Sequence, residues 1–377
     1  MPSLTMIRRT GIFFTCLVVS YTLVRLLLDK DVSALILYCA LGLTLGRIMY
    51  AAIRKLLPIE LLPELHKKAI FITGCDTGFG HLPALRADSL GLLVYAGCLH
   101  PEGDGAKALK EKCSDRTHIV SLDVTNDKLV EAAAQYVKST LGDKVLWAVV
   151  NNAGIAAFAE VEWHSIDSIK KIFDINVYGQ LRVTRALLPL LRESKGRVVN
   201  VNSAAAFVTL NGITPYSASK HASVAFTEGL RQELQKFSIS VHSIEPAFYR
   251  TPIMQNLFSS AVWEGCPLHI KEVYGEDYFK LYQARDEYIL STFRLVSNRV
   301  NDVVDGMIEA SVGVNPPDSI SPSLIDWVMK TLVIYAPTVA WNFFKDLFQP
   351  KLPTFGNWIV NKLQAMSKEK EEKIRQR

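Results

Sequence analysis

The feature that most constrains the fold of this chain is a short apolar segment followed by a cluster of glycines. Residues 69–73 read Ala-Ile-Phe-Ile-Thr, and glycines follow at positions 74, 78 and 80. An apolar run of this length that ends in glycines predicts a buried strand. Glycine permits backbone torsions that a side chain forbids, and it lets a pyrophosphate approach main-chain N–H groups. The segment therefore predicts a strand, a phosphate-binding turn and a helix.

Strand-like and helix-like segments alternate through the rest of the body. Helical spacing of apolar residues runs over 168–192 and 217–236. A repeated strand–helix–strand order predicts an α/β fold, a doubly wound parallel sheet of Rossmann type with helices on both faces. The predicted strands are 69–73, 92–96, 118–122, 146–150, 197–202 and 240–245.

Composition and charge exclude several other classes of protein. Hydrophobic residues make up 49% of the chain and charged residues 21%, which excludes a disordered protein. The net charge of +5 is small and dispersed, so no nucleic-acid partner is expected. None of the six cysteines forms a CxxC pair, so no metal site or redox motif is expected, and a disulfide framework is not expected in so long a chain.

Two apolar runs near the N-terminus, 11–28 and 33–53, contain only Arg25 and Arg47 as charged residues. As α-helices they would measure ~27 and ~31 Å, close to the ~30 Å thickness of bilayer hydrocarbon. Residues 1–60 are therefore predicted to form a membrane anchor, a hairpin of two transmembrane helices. A cleaved signal peptide, a mitochondrial presequence and a buried soluble hairpin are the alternatives.

Cations flank this predicted hairpin on both sides. Arg8 and Arg9 precede the first run, and Arg54 and Lys55 follow the second. Positive flanks favour the cytosol, so both ends and the body are predicted to be cytosolic. The body would be lumenal if only the first run crossed the membrane. The sequence has no Asn-x-Ser/Thr glycosylation acceptor, which favours the cytosolic alternative.

Several polar residues follow the predicted strands in a definite order. The sequence Asn-Asn-Ala-Gly at 151–154 follows the fourth strand, and Ser203 follows the fifth. Tyr216 and Lys220 are four residues apart and so share one helix face, while Asn176 lies in the preceding helix. A Tyr-x-x-x-Lys pair alone is usually a solvated helix face. The four positions together, in this order, predict a catalytic site.

With these motifs the chain resembles the short-chain dehydrogenase/reductase family over roughly residues 66–255. The family patterns TGxxxGxG, NNAG and YxxxK occur at 73–80, 151–154 and 216–220. The loop TGCDTGFG is most similar to the branch that contains the retinol and hydroxysteroid dehydrogenases and D-β-hydroxybutyrate dehydrogenase. The resemblance implies an NAD(P)-dependent oxidoreductase that interconverts a lipophilic alcohol and its carbonyl by hydride transfer, in a dimer or tetramer.

The resemblance also implies a role for each matching residue. Tyr216 would be the general acid/base, and Lys220 would favour its phenolate, because a free phenol has a pKa of ~10. Ser203 would bind the substrate oxygen, and Asn176 would hold a water that links Lys220 to solvent. The implied cofactor-binding residues are Thr73, Gly74, Asp76, Gly78, Phe79, Gly80, Asp123, Val124, Asn152, Ala153, Gly154, Tyr216, Lys220 and Thr251.

NAD is favoured over NADP as the cofactor. The end of the second strand usually carries an acid for NAD or a cation for NADP, but here it carries Gly97 and Cys98. Asp76, inside the glycine loop, would repel a 2′-phosphate. Asp123, with Val124, resembles the pair that contacts adenine, and a helix N-cap is its structural alternative.

The catalytic domain is predicted over 66–320, with a substrate cover at about 250–300 and a C-terminal amphipathic extension at 321–377. The apolar cover suits a steroid or retinoid, or else simply packs onto the body. The apolar segment 324–348 is predicted to lie at a membrane interface or against the body or a second subunit. The cover residues are Met254, Leu257, Phe258, Val262, Trp263, Tyr278 and Phe279.

Three functions remain open on the sequence alone. The first is an NAD-dependent dehydrogenase of lipophilic alcohols anchored in the endoplasmic reticulum. The second is a mitochondrial 3-hydroxybutyrate dehydrogenase, for which Arg250, Lys271 or Arg285 would supply a cation. The third is a nucleotide-binding scaffold without turnover. The family's usual Pro-Gly after the sixth strand is Pro246-Ala247 here, which either is tolerated or weakens cofactor binding.

Overall fold

A computed structural model describes the chain over residues 15–16, 18–22, 38–46, 49–50, 53, 57–251, 260–280, 282–283 and 296–335. Its central element is a parallel sheet of seven strands in the order β3-β2-β1-β4-β5-β6-β7. The strands are β1 (Lys68–Thr73), β2 (Leu93–Cys98), β3 (Thr117–Ser121), β4 (Val145–Asn151), β5 (Arg197–Val201), β6 (Ser240–Ile244) and β7 (Ser319–Ile320).

Helices connect successive strands. The first five are α1 (Gly78–Ser89), α2 (Asp104–Lys112), α3 (Asp127–Thr140), α4 (Ile166–Phe173) and α5 (Gln180–Ser194). The later ones are α6 (Thr214–Leu234), α7 (Ser260–Glu264), α8 (Leu268–Tyr274), α9 (Val300–Val312) and α10 (Leu324–Tyr335).

The central strands are mainly apolar because helices cover both faces of the sheet, and a polar residue such as Asn200 of β5 is buried with hydrogen-bond partners. Every residue of β2 and of β5 is buried, as are Ile70, Phe71 and Ile72 of β1. Burying one such side chain contributes about 1.5–3 kcal/mol, which is why a parallel sheet requires continuous apolar strands. This core fixes the strand ends from which the polar loops emerge.

The predicted doubly wound parallel sheet is confirmed, and the six predicted strands agree with β1–β6 within two residues at each end. The seventh strand was not predicted, because Ser319–Ile320 is too short to show a periodic pattern. The predicted helical segment over 168–192 is confirmed, because residues 166–194 are helical throughout. The π-helical turn Asp174–Gly179 separates α4 from α5, and such turns often occur at functional sites.

The chain forms two compact units. The first contains the described residues up to Pro63 together with Val312–Pro317, and the second contains Glu64–Ser311 and the described residues from Asp318 onward. In the first unit, Leu61 forms an antiparallel bridge with Gly313, and the Leu62 N–H donates to the Val312 carbonyl at 2.8 Å.

Within the parts of the chain that the structure describes, no helix is both long and apolar enough to span a bilayer. Many residues of the two apolar runs, including their turn at 29–31, lie outside the described residues, as does everything after Tyr335. The transmembrane hairpin is therefore not confirmed. For the described residues of the apolar segment 324–348, the structure shows packing on the body, because Asp326 of α10 is 4% exposed and bonds to Tyr249.

Candidate active site

The polar residues predicted for the site emerge at the carboxyl edge of the sheet, where loops follow β1, β4, β5 and β6. This edge is where open α/β sheets bind their ligands. Thr73 ends β1, and Asn151 ends β4. Ser203 follows β5 by two residues, and Pro246 follows β6 by two. Parallel strands therefore gather residues that lie far apart in sequence.

The glycine loop leaves an open cradle between β1 and α1. Gly74 has φ +70° and Gly78 has φ +64°, both in the region that side chains rarely adopt. A Cβ at Gly80 would lie 2.2 Å from the Gly74 carbonyl oxygen, so only glycine fits there. The loop leads into the N-terminus of α1, where main-chain N–H groups favour an anion. These residues fit the pyrophosphate of a dinucleotide.

Hydrogen bonds join the ends of β1 and β4 beside this cradle. The Thr73 hydroxyl accepts the main-chain N–H groups of Asn152 and Ala153, both at 2.9 Å. The Asn152 side chain donates to the carbonyl oxygens of Thr73 at 2.9 Å and Gly74 at 3.2 Å. Asn152 and Thr73 therefore hold the glycine loop in place. Their role in binding the cofactor stays a prediction.

Asp76 reaches from the glycine loop to the end of β2. Its two carboxylate oxygens accept the main-chain N–H groups of Leu99 at 2.9 Å and His100 at 2.8 Å. The carboxylate thus lies directly beyond Cys98, the strand end at which the sequence has no acid of its own. A carboxylate at the end of the second strand is the usual partner of the ribose hydroxyls of NAD.

Gly105 in the first turn of α2 makes this position of Asp76 possible. A Cβ at Gly105 would lie 1.8 Å from the Asp76 carbonyl oxygen, so α2 packs directly against the glycine loop. Sequence reasoning missed Gly105 because it lies outside every family motif. Its only sequence signal is a glycine at the second position of a helix, where a better helix former is expected.

Asp123 and Val124 follow β3. The Asp123 carboxylate accepts the N–H of Thr125 at 2.9 Å and its hydroxyl at 2.7 Å. The N-cap of α3 is Asn126, which accepts the N–H groups of Lys128 and Leu129. The structural alternative for Asp123, a helix N-cap, was therefore wrong.

Tyr216, Ser203 and Lys220 meet beside the cradle. Burial of the Tyr216 hydroxyl raises its pKa above the ordinary value of 10, and a hydrogen bond with Ser203 acts in the opposite direction. The Lys220 ammonium lies 5.8 Å from the centre of the Tyr216 ring and donates to the Val201 carbonyl at 2.9 Å. Burial lowers the pKa of Lys220 to about 8, so it is charged at pH 7.

Asn176 lies in the π-helical turn and is almost fully buried. Its amide exchanges two hydrogen bonds of 2.9 Å with the backbone of Ile155 and donates to the Ser219 hydroxyl at 3.0 Å. A Cβ on Gly154 would lie 3.2 Å from the Asn176 side-chain oxygen and 3.8 Å from the Lys220 nitrogen. Asn176 therefore fixes the loop after β4 close to Lys220, and its role in holding a water stays a prediction.

The segment after β6 closes the site on the side of the glycine loop. Tyr249 packs edge-on against Phe79, with ring centres 5.9 Å apart. Thr251 is 6% exposed, and its hydroxyl lies 3.4 Å from the Tyr249 carbonyl oxygen. Tyr249 thus brings Phe79 and Thr251 to the same neighbourhood, and their role in binding the cofactor stays a prediction.

The described part of the substrate cover forms a small apolar core together with Trp163, which lies outside the cover in sequence. Trp163 lies at its centre, 4.7 Å from Trp263 and 5.9 Å from Phe279 between ring centres. Tyr278 packs at its rim and donates to Glu160 at 3.1 Å. These contacts favour the packing alternative for Trp263, Tyr278 and Phe279. Cover residues 254, 257 and 258 lie outside the described residues.

Comparison with known proteins agrees with this site. The sequence model of the family described as short chain dehydrogenase matches residues 68–261. The 17-beta-hydroxysteroid dehydrogenase type 6 of Bos taurus is 37% identical over 273 residues, which cover 71% of this chain and 84% of the relative. Retinol dehydrogenase 7 of Mus musculus is 38% identical over 261 residues, which cover 68% and 81% of the two chains.

Solved structures share the fold. The crystal structure of a short chain dehydrogenase/reductase from Burkholderia phymatum in complex with NAD aligns with a TM-score of 0.59 at 23% identity. The alignment covers 72% of this chain and 94% of that one. At this level of identity the likeness establishes the architecture, the same one that the sheet order describes.

Proposed function

The chain belongs to the short-chain dehydrogenase family, and we propose that it interconverts a lipophilic secondary or allylic alcohol, of hydroxysteroid or retinol type, and its carbonyl with NAD. It is an oxidoreductase that acts on CH–OH groups with NAD(P). The observation that carries the proposal is that Ser203, Tyr216 and Lys220 lie close together beside the glycine loop, in which the position of Gly80 accepts no side chain.

In the proposed reaction Tyr216 moves the proton. During oxidation its phenolate takes the alcohol O–H proton while the substrate carbon loses hydride, and during reduction Tyr216 returns that proton to the carbonyl oxygen. Hydride acceptance and donation are the chemistry that the nicotinamide supplies when it is bound. Ser203 hydrogen-bonds the substrate oxygen and also lowers the pKa of Tyr216.

Lys220 would serve the proton transfer by its charge. It is buried, it is held on the Val201 carbonyl, and it lies on the same face of α6 as Tyr216. A positive charge at this distance favours the phenolate over the phenol. The nicotinamide ribose hydroxyls would be a second partner for its ammonium.

A preference for NAD over NADP rests on Asp76. Its carboxylate lies at the end of β2, where it can accept ribose hydroxyls and would repel a 2′-phosphate.

The proposed substrate class comes from the relatives that carry steroid and retinol names. The alternative, a small hydroxy acid, would require a cation beside Ser203. Lys271 is engaged elsewhere, since its ammonium donates to the Glu264 carbonyl at 2.9 Å. Arg250 is exposed, and residue 285 lies outside the described residues. The names of the relatives make the lipophilic alcohol the better-supported substrate.

Membrane anchoring in the endoplasmic reticulum, with a cytosolic body, is part of the proposal. Where the structure describes the two apolar runs, small residues lie at a helix contact, and several apolar residues are exposed. A Cβ on Gly42 would lie 3.3 Å from the Tyr21 Cα, and Ser20 is fully buried, whereas Val18 is 60% exposed and Leu43 49%. Close helix contact at small residues with apolar residues outside is typical of helices in lipid.

The test uses membranes that contain the full chain, supplied with NAD or NADP and with steroid alcohols, retinol or 3-hydroxybutyrate. We expect NAD-dependent oxidation of a steroid alcohol or of retinol, and Tyr216→Phe should abolish turnover while NAD still binds. Turnover of 3-hydroxybutyrate alone would favour the mitochondrial alternative. Binding of NAD without turnover of any alcohol would favour the scaffold.

A further inference from the structure

Among the α10 side chains that the structure describes, Asp326 and Lys330 turn inward, whereas several apolar residues are exposed. Asp326 is 4% exposed and the Lys330 side chain 20%, whereas Leu324, Ile325 and Val328 are 41%, 73% and 38% exposed. A helix that packs only for stability buries its apolar face. The inward charges of Asp326 and Lys330 therefore call for a separate explanation, and both residues lie beyond the segment that the family model matches.

Lys330 connects the two loops that form the walls of the site. Its ammonium pairs with Glu245, which is 3% exposed and lies between the end of β6 and Pro246. The same ammonium lies 4.3 Å above the ring of Phe207, four residues after Ser203. One charge thus holds the loop after β5 and the loop after β6.

Glu245 is fully engaged on both of its oxygens. One accepts the Ser243 hydroxyl at 2.9 Å, and the other accepts the Ser319 hydroxyl at 2.8 Å and the Lys330 ammonium. The next residue, Pro246, accepts the Ala204 N–H at 2.9 Å and lies 3.4 Å from the Ser203 hydroxyl. Glu245 is therefore one residue away from a direct contact with Ser203.

Asp326 holds the far end of the same segment. Its carboxylate accepts the Tyr249 hydroxyl at 2.5 Å and the Ser323 N–H at 2.9 Å, while the Ser323 hydroxyl accepts the Asp326 N–H at 3.0 Å. This capping box fixes the start of α10. Because Tyr249 packs on Phe79 and its carbonyl lies beside the Thr251 hydroxyl, Asp326 acts on the side of the site that faces the glycine loop.

A buried ion pair is an inefficient way to attach a helix. Desolvation of the two charges offsets most of their attraction, and apolar residues of the same volume stabilise a fold as well or better. An ion pair fixes the direction and distance between its two charged groups, because both groups must satisfy their hydrogen bonds in the same arrangement. That property suits a role in holding the geometry of a site.

We propose that Lys330 and Asp326 are positioning residues for hydride transfer, which hold residues 245–251 and the Ser203 loop in register through Glu245, Phe207 and Tyr249. The proposal rests on the proposed function of the site. It makes α10 part of the active centre, although no residue of α10 contacts Ser203 or Tyr216 in any hydrogen bond that the structure describes.

The test compares Lys330→Met with Glu245→Gln/Lys330→Met in the full chain, by Tm, kcat and the dissociation constant for NAD. Lys330→Met leaves Glu245 buried and unpaired, so both Tm and kcat should fall, kcat by about tenfold or more. The double variant restores a neutral interior, so Tm should recover while kcat stays low. Recovery of kcat together with Tm would overturn the proposal, because the pair would then serve stability alone.

Amide hydrogen exchange gives a readout that does not depend on turnover. In the double variant, exchange should be faster in peptides that cover 203–208 and 245–251, and the dissociation constant for NAD should rise. The control Lys170→Met breaks an exposed ion pair with Asp167 on α4 and should change neither. Unchanged exchange in the double variant would refute the proposal, whether or not the chain turns over an alcohol. A failure to turn over any alcohol would instead refute the proposed function.

Substitutions of Asp326 provide an independent test of the proposal. Asp326→Asn keeps an acceptor for the Tyr249 hydroxyl and the Ser323 N–H, so kcat should stay within about twofold. Asp326→Ala removes that acceptor and should lower kcat about tenfold, while Ile325→Ala on the exposed face of the same helix should have no effect. Equal kcat values for Asp326→Ala and Asp326→Asn would contradict the proposal.

Discussion

The carboxylate of Asp76 accepts the main-chain N–H of His100 at 2.8 Å, although 24 residues separate the two in sequence. The contact carries an acid from the glycine loop to the end of the second strand. Many dinucleotide-binding sheets place their own acid at that strand end. Here the same charge arrives from a different loop, because the strand itself ends in the buried residues Gly97 and Cys98.

Asp76→Asn should weaken the preference for NAD. The amide keeps the size of the side chain but removes the charge that repels a 2′-phosphate, so the ratio of kcat/KM for NAD to that for NADP should fall about tenfold. Steady-state kinetics with each cofactor at a fixed alcohol concentration measures the ratio. An unchanged ratio would show that Asp76 does not select the cofactor.

Gly105→Ala should impair binding of the cofactor without unfolding the chain. The new Cβ would meet the Asp76 carbonyl oxygen at 1.8 Å, so the glycine loop and α2 must separate, and KM for NAD should rise about tenfold. Gly229→Ala on α6 is the matched control, because no atom lies within 4 Å of its Cβ position. If both variants had the same KM, the packing of α2 on the loop would be irrelevant to binding.

Ser203→Ala should move the pH profile of alcohol oxidation as well as lower its rate. The hydrogen bond from Ser203 lowers the pKa of Tyr216, so its loss should raise that pKa, and the acid limb of kcat/KM should shift to higher pH. Loss of one hydrogen bond to the reacting oxygen should lower kcat about 100-fold. A lower rate without a shift of the acid limb would mean that Ser203 binds the substrate oxygen but does not affect the pKa of Tyr216.

Lys220→Met should change how stability depends on pH in the cofactor-free protein. Lys220 has a pKa of about 8 when folded and about 10.5 when unfolded, so between these values the unfolded chain binds the extra proton. Stability of the wild type should gain up to about 1.4 kcal/mol per pH unit over the variant from pH 8 upward.

Urea unfolding of both proteins between pH 7 and 9.5 checks this difference, since the other titrating groups are common to both. Parallel stability curves would mean that the Lys220 ammonium is solvated in the folded protein, contrary to its position on the Val201 carbonyl.

Much of the fold follows from local sequence patterns. Mainly apolar runs locate β1–β6, because a strand covered on both faces buries most of its side chains. The same patterns located the helical segment around Asn176 but not its π-helical turn, because such a turn adds one residue without interrupting the helix. The strand Ser319–Ile320 is fixed by pairing with β6, which no local pattern records.

The candidate site likewise has one part that follows from local sequence and one part that does not. The sequence by itself determined that Ser203 and the glycine loop follow strands, whose carboxyl ends a parallel sheet brings to one edge, and that Tyr216 and Lys220 share one helix face. Only the tertiary structure decided that Asp76 lies at the end of β2, that α2 needs Gly105, and that Lys330 of α10 pairs with Glu245. Each of these contacts joins residues that are distant in sequence, and their distances depend on how the helices pack on the sheet rather than on any local preference.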